Sequence, residues 1–441
     1  MAPVSLLSRA TRSVFTLLIV CSAAASCSQS PDPVSKYVDS ISEELWPINK
    51  EIHENPELAF HEVRAHKLLT DYLSSHDGWT VQRSAYNMST AFVAVFEGSG
   101  DGPVVSFNAE YDALPGIGHA CGHNLISMAS LSGALATADM MRTKDLPGKV
   151  VLFGTPAEEN GGGKIKLLDA GAYTDHKVDI SLISHPTKGN DTEYMSTTAI
   201  DGFSVEYYGK EAHAAASPWE GINAQDAMIL AYNALSMLRQ QTKGTDIIQG
   251  IIESGGTATN IIPALATAQF VVRAATAEQL SNLTTRVQAC FEAGAVGTGA
   301  RLNLTMLPGG YSNMVTNDAL AKSYRKWFEG LGGDLIPADV AKVTQGTPSS
   351  DQGNVSHEIP SISPLFGIEN EDGSEPISGP HTPPFEVASG SRRSFDKALV
   401  VGKSLAGVAV DILTTKGLLD EVKAEFAKVN KAPLARRSIY M

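Results

Sequence analysis

The sequence predicts an α/β fold in which helices cover both faces of a mostly parallel sheet, with a smaller α+β domain inserted into it. Two observations carry this prediction. Strand-like and helical patterns alternate as far as residue 198, and long helices return after residue 313, an order typical of an α/β domain. Between them, residues 199–311 contain alternating strand patterns around two long helices, which predicts helices on an antiparallel sheet.

Hydrophobic periodicity places the elements of the larger domain, predicted to comprise residues 33–198 and 312–441. Apolar residues at helical spacing predict helices between residues 33 and 73, with a break at Asn55-Pro56. Further helices are predicted at 126–141 and, after a glycine-rich loop, at 161–169. The strands that alternate with them are predicted at 91–96, 104–108, 150–154 and 180–185.

The inserted domain, residues 199–311, has its own set of elements. Its two helices are predicted at 223–242 and 278–294. Its strands are predicted at 203–207, 247–253, 266–274 and 301–306.

Composition excludes several classes of protein. The 441 residues allow two to four domains, and 43% of them are hydrophobic, so the chain can bury a large core. A formal net charge of −14 argues against nucleic acid as a partner, because the chain lacks a general attraction for phosphate. Four cysteines, two of them within the first 27 residues, are too few for a disulfide framework.

The N-terminus resembles a processing segment. Arg9 and Arg12 precede an uncharged apolar stretch over residues 14–25, and small residues follow. These features predict a signal peptide at residues 1–26 and a secreted or secretory-lumen protein, with an organellar transit peptide as the alternative. The stretch is too short for a membrane span. Cys27 also permits bacterial lipid attachment. Glycosylation sequons, compatible with secretion, begin at Asn87, Asn190, Asn282, Asn303 and Asn354.

Ligand-type residues recur at strand ends and in glycine- or proline-rich loops. Cys121 and His123, two residues apart, can bind one metal ion or bridge two, although a buried cysteine with a capping histidine explains them equally well. Glu158-Glu159 follows a strand; adjacent carboxylates repel, and a cation would relieve that repulsion, but a solvated acidic turn is as common.

Three further residues extend this pattern. His185 closes an apolar strand, where a histidine is more often an ordinary core residue. His381 lies between prolines, and Asp112 follows a strand. Together the clusters supply enough ligands for two divalent ions, and a pair of ions can activate water and polarise a carbonyl, which is the chemistry of amide hydrolysis.

The motifs HACGH, PAEE, GKEAHA, GGTATNIIP and HTPPF occur in the order found in the dinuclear metal hydrolases of the M20 peptidase family, which the sequence resembles from about residue 40 to 415. The branch that it resembles contains hippurate, auxin-conjugate and aminobenzoyl-glutamate hydrolases and a β-alanyl-lysine dipeptidase. The resemblance implies a zinc-peptidase-like catalytic domain and a ferredoxin-like inserted domain that acts as a lid and forms a homodimer. It also implies zinc, with manganese or cobalt as alternatives.

The resemblance also implies roles for individual residues. Cys121 would bridge the ions as a thiolate, Glu158 would be the general base, and Asp112 would orient His123. The remaining ligands would be His123, Glu159, His185 and His381.

Three residues of the inserted domain receive roles from the resemblance alone. His213 would stabilise the oxyanion, in many relatives across the dimer. Asn260 would hold the substrate, and Arg273 would bind its free carboxylate. Taken without the family, each would be an ordinary surface or turn residue.

Substrate choice is where the sequence departs from hippurate-type relatives. Glu110 stands where they have aspartate, and Asn124 follows the CGH motif, so small dipeptides or aminoacyl-arylamides are favoured over hippurate- or auxin-like conjugates. The sequence therefore predicts a metal-dependent hydrolase of a dipeptide or N-acyl amino acid. An enzyme that trims or forms an amide in a specialised-metabolite pathway is the alternative, and a catalytically silent binding protein is disfavoured because Glu158 and all five ligands are present.

Overall fold

The structure, a computed structural model, describes residues 32–344, 346 and 348–429. The predicted signal peptide and Cys27 lie outside the described residues, so the structure does not bear on them.

The elements of the first part of the larger domain alternate as predicted. They are α1 (Pro33–Glu54), α2 (Val63–Ser74), β1 (Trp79–Arg83), β2 (Phe92–Glu97), β3 (Val104–Ala109), α3 (His123–Lys144), β4 (Lys149–Gly154), α4 (Gly163–Asp169), α5 (Ala172–Asp175), β5 (Ile180–Leu182) and β6 (His185–Thr187).

The insert and the returning part complete the chain. The insert contains β7 (Ala199–Tyr208), α6 (Ala224–Leu238), β8 (Ile247–Ser254), β9 (Leu265–Ala274), α7 (Ala277–Thr298) and β10 (Arg301–Met306). The returning part contains α8 (Asp318–Gly330), α9 (Ala338–Val343), α10 (Gln352–Glu358), β11 (Ser361–Ile362), β12 (Leu365–Gly367), α11 (Pro383–Ser389), α12 (Arg392–Thr414) and α13 (Leu418–Val429).

The central sheet is mixed, with a parallel half that carries the site. Its order is β1-β2-β4-β3-β5-β11, in which β4, β3, β5 and β11 run parallel and β1 and β2 pair antiparallel at one edge. The edge strand β1 was not predicted. Alternate residues of β4 point to opposite cores: Val150 and Leu152 pack with α1, α3 and α12, while Val151 and Phe153 pack with α4, α5 and α10. Helices therefore cover both faces, as predicted.

One predicted strand is divided. Residues 180–185 form β5 and the start of β6, which leaves the central sheet and pairs in parallel with β12. Pro186 has no N–H for the central ladder, and it follows the point where the chain changes sheets. His185 therefore lies beyond the end of the central sheet.

The insert has the ferredoxin-like order that the resemblance implies. Its chain order is β-α-β-β-α-β, and its sheet order β10-β7-β9-β8 is antiparallel throughout. Helices α6 and α7 pack on the sheet around a core that includes Phe203, Phe270 and Phe291. Strand β8 lies at an edge, and most of its residues are exposed.

Within the described residues, no single helix is both long and apolar enough to cross a membrane, although α12 and α13, bent by 103°, meet the length and composition criteria as a pair.

Candidate metal centre

The ligand-type side chains converge where the strands of the parallel half end. Asp112 lies beyond the carboxyl end of β3, Glu158 and Glu159 beyond that of β4, and His185 beyond that of β5. The carboxyl ends of parallel strands share one edge of the sheet, so residues distant in the sequence meet there. His381 reaches the same place on the loop before α11, where its N–H donates to the carbonyl of Ala120 (2.8 Å).

Glycine sets the direction of the Cys121–His123 motif. Gly122 is in the left-handed conformation (φ +76°) and caps α3, so that His123 is the first residue of the helix. A Cβ at Gly122 would lie 2.5 Å from Pro186 Cγ. The close approach of β6 therefore requires glycine between the two ligands.

Two groups of potential ligands share the thiol of Cys121. One contains Cys121, His123 and His185, and the other contains Cys121, Glu159 and His381; within each group the ligand atoms lie within 4.8 Å of one another. Cys121 Sγ is 3.4 Å from His185 Nε2, and Glu159 Oε2 is 3.4 Å from His381 Nε2. The structure thus brings together all five predicted ligands, in an arrangement that suits two ions on either side of one thiolate.

Asp112 contacts both halves of this cluster. Its Oδ1 is 3.1 Å from His123 Nδ1, and its Oδ2 accepts the backbone N–H of Glu159 (3.0 Å). With Nδ1–H directed at Asp112, the Nε2 atom of His123 is left facing the cluster. Interaction with His123 holds the pKa of Asp112 below its usual range although burial alone would raise it.

Hydrogen bonds from two distant parts of the chain hold the turn that carries the two glutamates. Ala157 has φ +61° and is fully buried, a costly conformation for a residue other than glycine. Its N–H donates to Glu62 Oε1 (2.9 Å), and the carbonyl of Glu158 accepts the hydroxyl of Tyr311 (2.5 Å). The turn therefore presents Glu158 and Glu159 in a fixed orientation.

Glu62, which no sequence pattern indicated, is a buried acceptor for three groups. It accepts the N–H of Phe60 (3.0 Å) as well as that of Ala157, and the hydroxyl of Thr90 donates to its Oε2 (2.7 Å). Burial raises the pKa of Glu62 to about 7. The sequence around Glu62 gives no sign of the contact with Ala157, which joins residues 95 positions apart.

The two adjacent glutamates have opposite electrostatic environments. Burial, followed by the charges of Glu110 and Glu159, raises the pKa of Glu158 well above its ordinary value. The pKa of Glu159 is lowered despite burial, because His381 hydrogen-bonds to it and His123 and His381 attract its charge. Adjacent carboxylates whose pKa values are shifted in opposite directions are suited to different roles in acid–base chemistry.

A buried ion network, which no sequence motif indicated, adjoins the ligand cluster through Glu110. Lys164 Nζ is 2.5 Å from Glu110 Oε1 and 2.6 Å from Asp351 Oδ1, and none of the three side chains is more than 1% exposed. The other carboxylate oxygen of Glu110 lies 3.4 Å from His123 Nε2. In the sequence, Glu110 is notable only as a departure from relatives, and Lys164 carries no motif that marks it.

The side chains fit divalent metal ions. Glu110 Oε2, His123 Nε2 and Glu159 Oε1 are buried and, among the residues that the structure describes, have no hydrogen-bond partner. Buried acceptors without donors are costly, and a cation is what would satisfy them together. One thiol, three imidazoles and carboxylates form a donor set that suits zinc.

The three predicted site residues of the insert are not among these ligand groups. His213 is exposed, and its Nδ1 accepts the N–H groups of Ala215 and Ala216 (3.2 and 3.1 Å). Asn260 is exposed on the adjacent loop, where its backbone carbonyl accepts the N–H of Ala214 (3.0 Å). Arg273, half-buried on β9, donates to Ser349 Oγ (3.0 Å).

Comparisons with known proteins agree with this architecture. The model of the peptidase dimerisation domain matches residues 196–298. All but the first three of these residues belong to the insert. The Xaa-Arg dipeptidase of Mus musculus is 38% identical over 399 residues, which cover 88% of this chain and 90% of that protein. One of the subunits of the p-aminobenzoyl-glutamate hydrolase of Escherichia coli is 31% identical over 281 residues, covering 60% of this chain and 56% of that protein.

Solved structures share the fold. A dinuclear metal-binding peptidase of the M20 family from Bacillus subtilis matches with a TM-score of 0.64 and 21% identity, over 86% of this chain and 99% of the other. An aminobenzoyl-glutamate utilization protein from Klebsiella pneumoniae matches with a TM-score of 0.65 and 18% identity, over 87% and 99%. The predicted resemblance is confirmed: this chain belongs to the M20 peptidase family of metal-dependent hydrolases of amide bonds.

Proposed function

We propose that this protein is a dinuclear metal-dependent dipeptidase that cleaves small dipeptides or N-acyl amino acids with a free carboxylate. The observation that carries this proposal is the pair of ligand groups that share Cys121 beside the buried carboxylate of Glu158. Because a relative at 38% identity is an Xaa-Arg dipeptidase, dipeptides that end in arginine are the first substrates to test.

Cys121 would be shared by the two ions, with His123 and His185 on one side and Glu159 and His381 on the other. We propose zinc, with manganese and cobalt as alternatives, because the donor set combines sulfur, nitrogen and oxygen. When bound, such ions polarise the substrate carbonyl and lower the pKa of water.

Glu158 is the proposed general base. The residue is 5% exposed, and its raised pKa suits a group that takes a proton from the attacking water and gives it to the leaving nitrogen. Ala157 and Tyr311 hold its backbone in place, so little reorganisation accompanies proton transfer. Asp112 holds the imidazole of His123 in the tautomer that is protonated on Nδ1, so that the unprotonated Nε2 faces the cluster.

The proposed substrate-binding residues lie on the insert. Arg273 contacts Ser349, two residues before Asp351, whose partner Lys164 also binds Glu110. Arg273 is thus connected to the candidate metal centre through Ser349, Asp351 and Lys164. Its planar guanidinium suits bidentate binding of a carboxylate. His213 and Asn260, on adjoining exposed loops of the same domain, would contribute to oxyanion and substrate binding when the insert closes or a second subunit approaches.

We propose that the insert also forms a homodimer. Within the described residues, β8 is an edge strand, with Ile251 and Ile252 65% and 41% exposed, and α6 exposes Leu230 and Met237. Unpaired, apolar edges in native proteins invite pairing with another strand, and symmetric pairing of β8 would cover both copies. Ile251→Lys is expected to shift the mass measured by light scattering from dimer to monomer; an unchanged mass contradicts this interface.

Secretion and glycosylation are further proposals. They rest on the N-terminal segment and on the sequons, of which Asn87, Asn190, Asn282 and Asn303 are exposed. Recovery from the medium of a protein that begins near residue 27 and loses mass on deglycosylation would support them, and retention of the intact N-terminus in cells would contradict them.

The central experiment compares wild type with Glu158→Gln, which keeps the shape of the side chain and removes the base. Both are loaded with Zn²⁺, incubated with a library of dipeptides and N-acyl amino acids, and analysed by mass spectrometry. We expect equal metal content and a turnover lower by about 100-fold or more for the variant. Equal turnover, or full activity of chelator-treated wild type, would refute the mechanism.

A further inference from the structure

Glu110 is a buried carboxylate that the mechanism above does not use. It is 1% exposed, and its two oxygens have different surroundings. Oε1 lies 2.5 Å from Lys164 Nζ, and Oε2 is directed to the other side, 3.4 Å from His123 Nε2. Lys164 thus fixes one oxygen and leaves the other facing the ligand cluster.

The contact between Glu110 and His123 is not a hydrogen bond. Neither Glu110 Oε2 nor His123 Nε2 has a hydrogen-bond partner within the described part of the chain. Since Nδ1–H of His123 is directed at Asp112 (3.1 Å), its Nε2 is an acceptor in the neutral ring. In the neutral ring that a metal ligand requires, two buried acceptors would face each other, an arrangement that is unfavourable unless a cation lies between them.

The separation matches two ligands of one ion. Nitrogen and oxygen ligands lie about 2.0–2.2 Å from zinc, so at a tetrahedral angle they are about 3.3–3.5 Å apart. The distance between Glu110 Oε2 and His123 Nε2 is 3.4 Å. The same separation joins Glu159 Oε2 to His381 Nε2 in the other half of the site.

We infer that Glu110 is a sixth protein ligand of the metal centre, binding through Oε2 the ion that His123 holds. This inference rests on the proposed dinuclear centre. It makes the two halves unequal: Cys121, His123, His185 and Glu110 give one ion four protein ligands. Cys121, Glu159 and His381 give the other ion three, which is the number typical of a catalytic position open to water.

The length of the side chain matters to this role. The aspartate that hippurate-type relatives carry here is shorter by one methylene, so its carboxylate reaches less far from the backbone than that of Glu110, which contacts both Lys164 and His123. Because Lys164 binds Oε1 of Glu110, the carboxylate can bind an ion through one oxygen only, Oε2. Glu110→Asp keeps the charge and shortens the reach, whereas Glu110→Gln keeps the reach and removes the charge.

The test measures metal binding independently of activity. Wild type, Glu110→Gln, Glu110→Asp and the control Asp112→Asn are stripped with chelator, titrated with Zn²⁺ against a chromogenic chelator, and loaded with Co²⁺ for visible absorption. Asp112→Asn is matched because it removes one buried negative charge from the opposite side of the same imidazole. It should weaken one ion about 10–100-fold, as loss of an orienting contact does, without changing the cobalt bands.

We expect Glu110→Gln to weaken one of the two ions by more than about 100-fold and to alter the cobalt bands, with Glu110→Asp between it and wild type. Two ions bound with wild-type affinity in Glu110→Gln would overturn the inference, as would unchanged cobalt bands. If Glu110→Gln does not fold, Glu110→Asp alone decides by the same criteria. A wild type that binds fewer than two ions would instead overturn the dinuclear centre itself, and this inference with it.

Discussion

Replacing Lys164 with methionine should destabilise the fold, because one buried ammonium compensates two buried carboxylates. Methionine has a similar length and removes only the charge. It leaves Glu110 Oε1 and Asp351 Oδ1, now 2.5 and 2.6 Å from Nζ, without their partner, at sites no more than 1% exposed. Breaking a buried ion pair by removing one partner costs about 3–5 kcal/mol.

The magnitude should depend on pH. Burial raises the pKa of Asp351 to about 6 even with Lys164 beside it to lower it, so removal of the lysine raises it further. The folded variant then takes up a proton where the unfolded chain, with an ordinary carboxyl pKa near 4, does not. Protonation relieves part of the cost, so we expect a loss of about 4 kcal/mol at pH 8 and a smaller loss at pH 5.

The assay is urea unfolding followed by circular dichroism, with chelator present so that metal binding does not contribute. The double variant Lys164→Met/Asp351→Asn should recover part of the lost free energy, because it removes one of the two unpaired charges. A loss below about 1 kcal/mol, or a double variant no more stable than Lys164→Met, would refute the reasoning.

Two further predictions concern the glutamate turn. Glu62→Gln should remove a pH dependence: the pKa of Glu62 is about 7 in the folded protein against an ordinary 4.5, so wild-type stability relative to the variant should fall as pH rises from about 4.5 to 7, by about 3 kcal/mol in all. Urea unfolding at pH 5 and pH 8 measures this, and a pH-independent difference would contradict it. Ala157→Gly should relieve the left-handed conformation and stabilise the fold by about 1 kcal/mol, while kcat falls because the turn that presents Glu158 loosens. Unchanged kcat with a gain in stability would show that the strain does not serve catalysis.

The sequence predicted the elements because periodicity and glycine or proline positions are local signals. Strands β2 to β5, the strands of the insert with its two helices and the break after α1 follow from patterns within a few residues. The edge strand β1 and the departure of His185 from the central sheet did not, because pairing partners and sheet changes depend on chain segments far away, such as β12.

The candidate ligands could likewise be named from the sequence. Cys121, His123 and the Glu158-Glu159 pair stand in motifs whose residue types indicate metal chemistry. What no motif indicated is that Cys121 is common to both groups of ligands, or that Asp112 contacts His123 and the Glu159 backbone at once. These are distances between loops, and only the shared edge of the sheet fixes them.

Residue identity and spacing along the chain were enough to establish the family, the fold class and the five candidate ligands. They were not enough for Glu62, Lys164, Asp351 and Glu110, whose significance lies in burial and in contacts that join residues as many as 187 positions apart. The sequence alone does not distinguish a charged side chain that is buried from one that is exposed. Only the fold buries such a side chain, and a buried charge is costly unless it is paired.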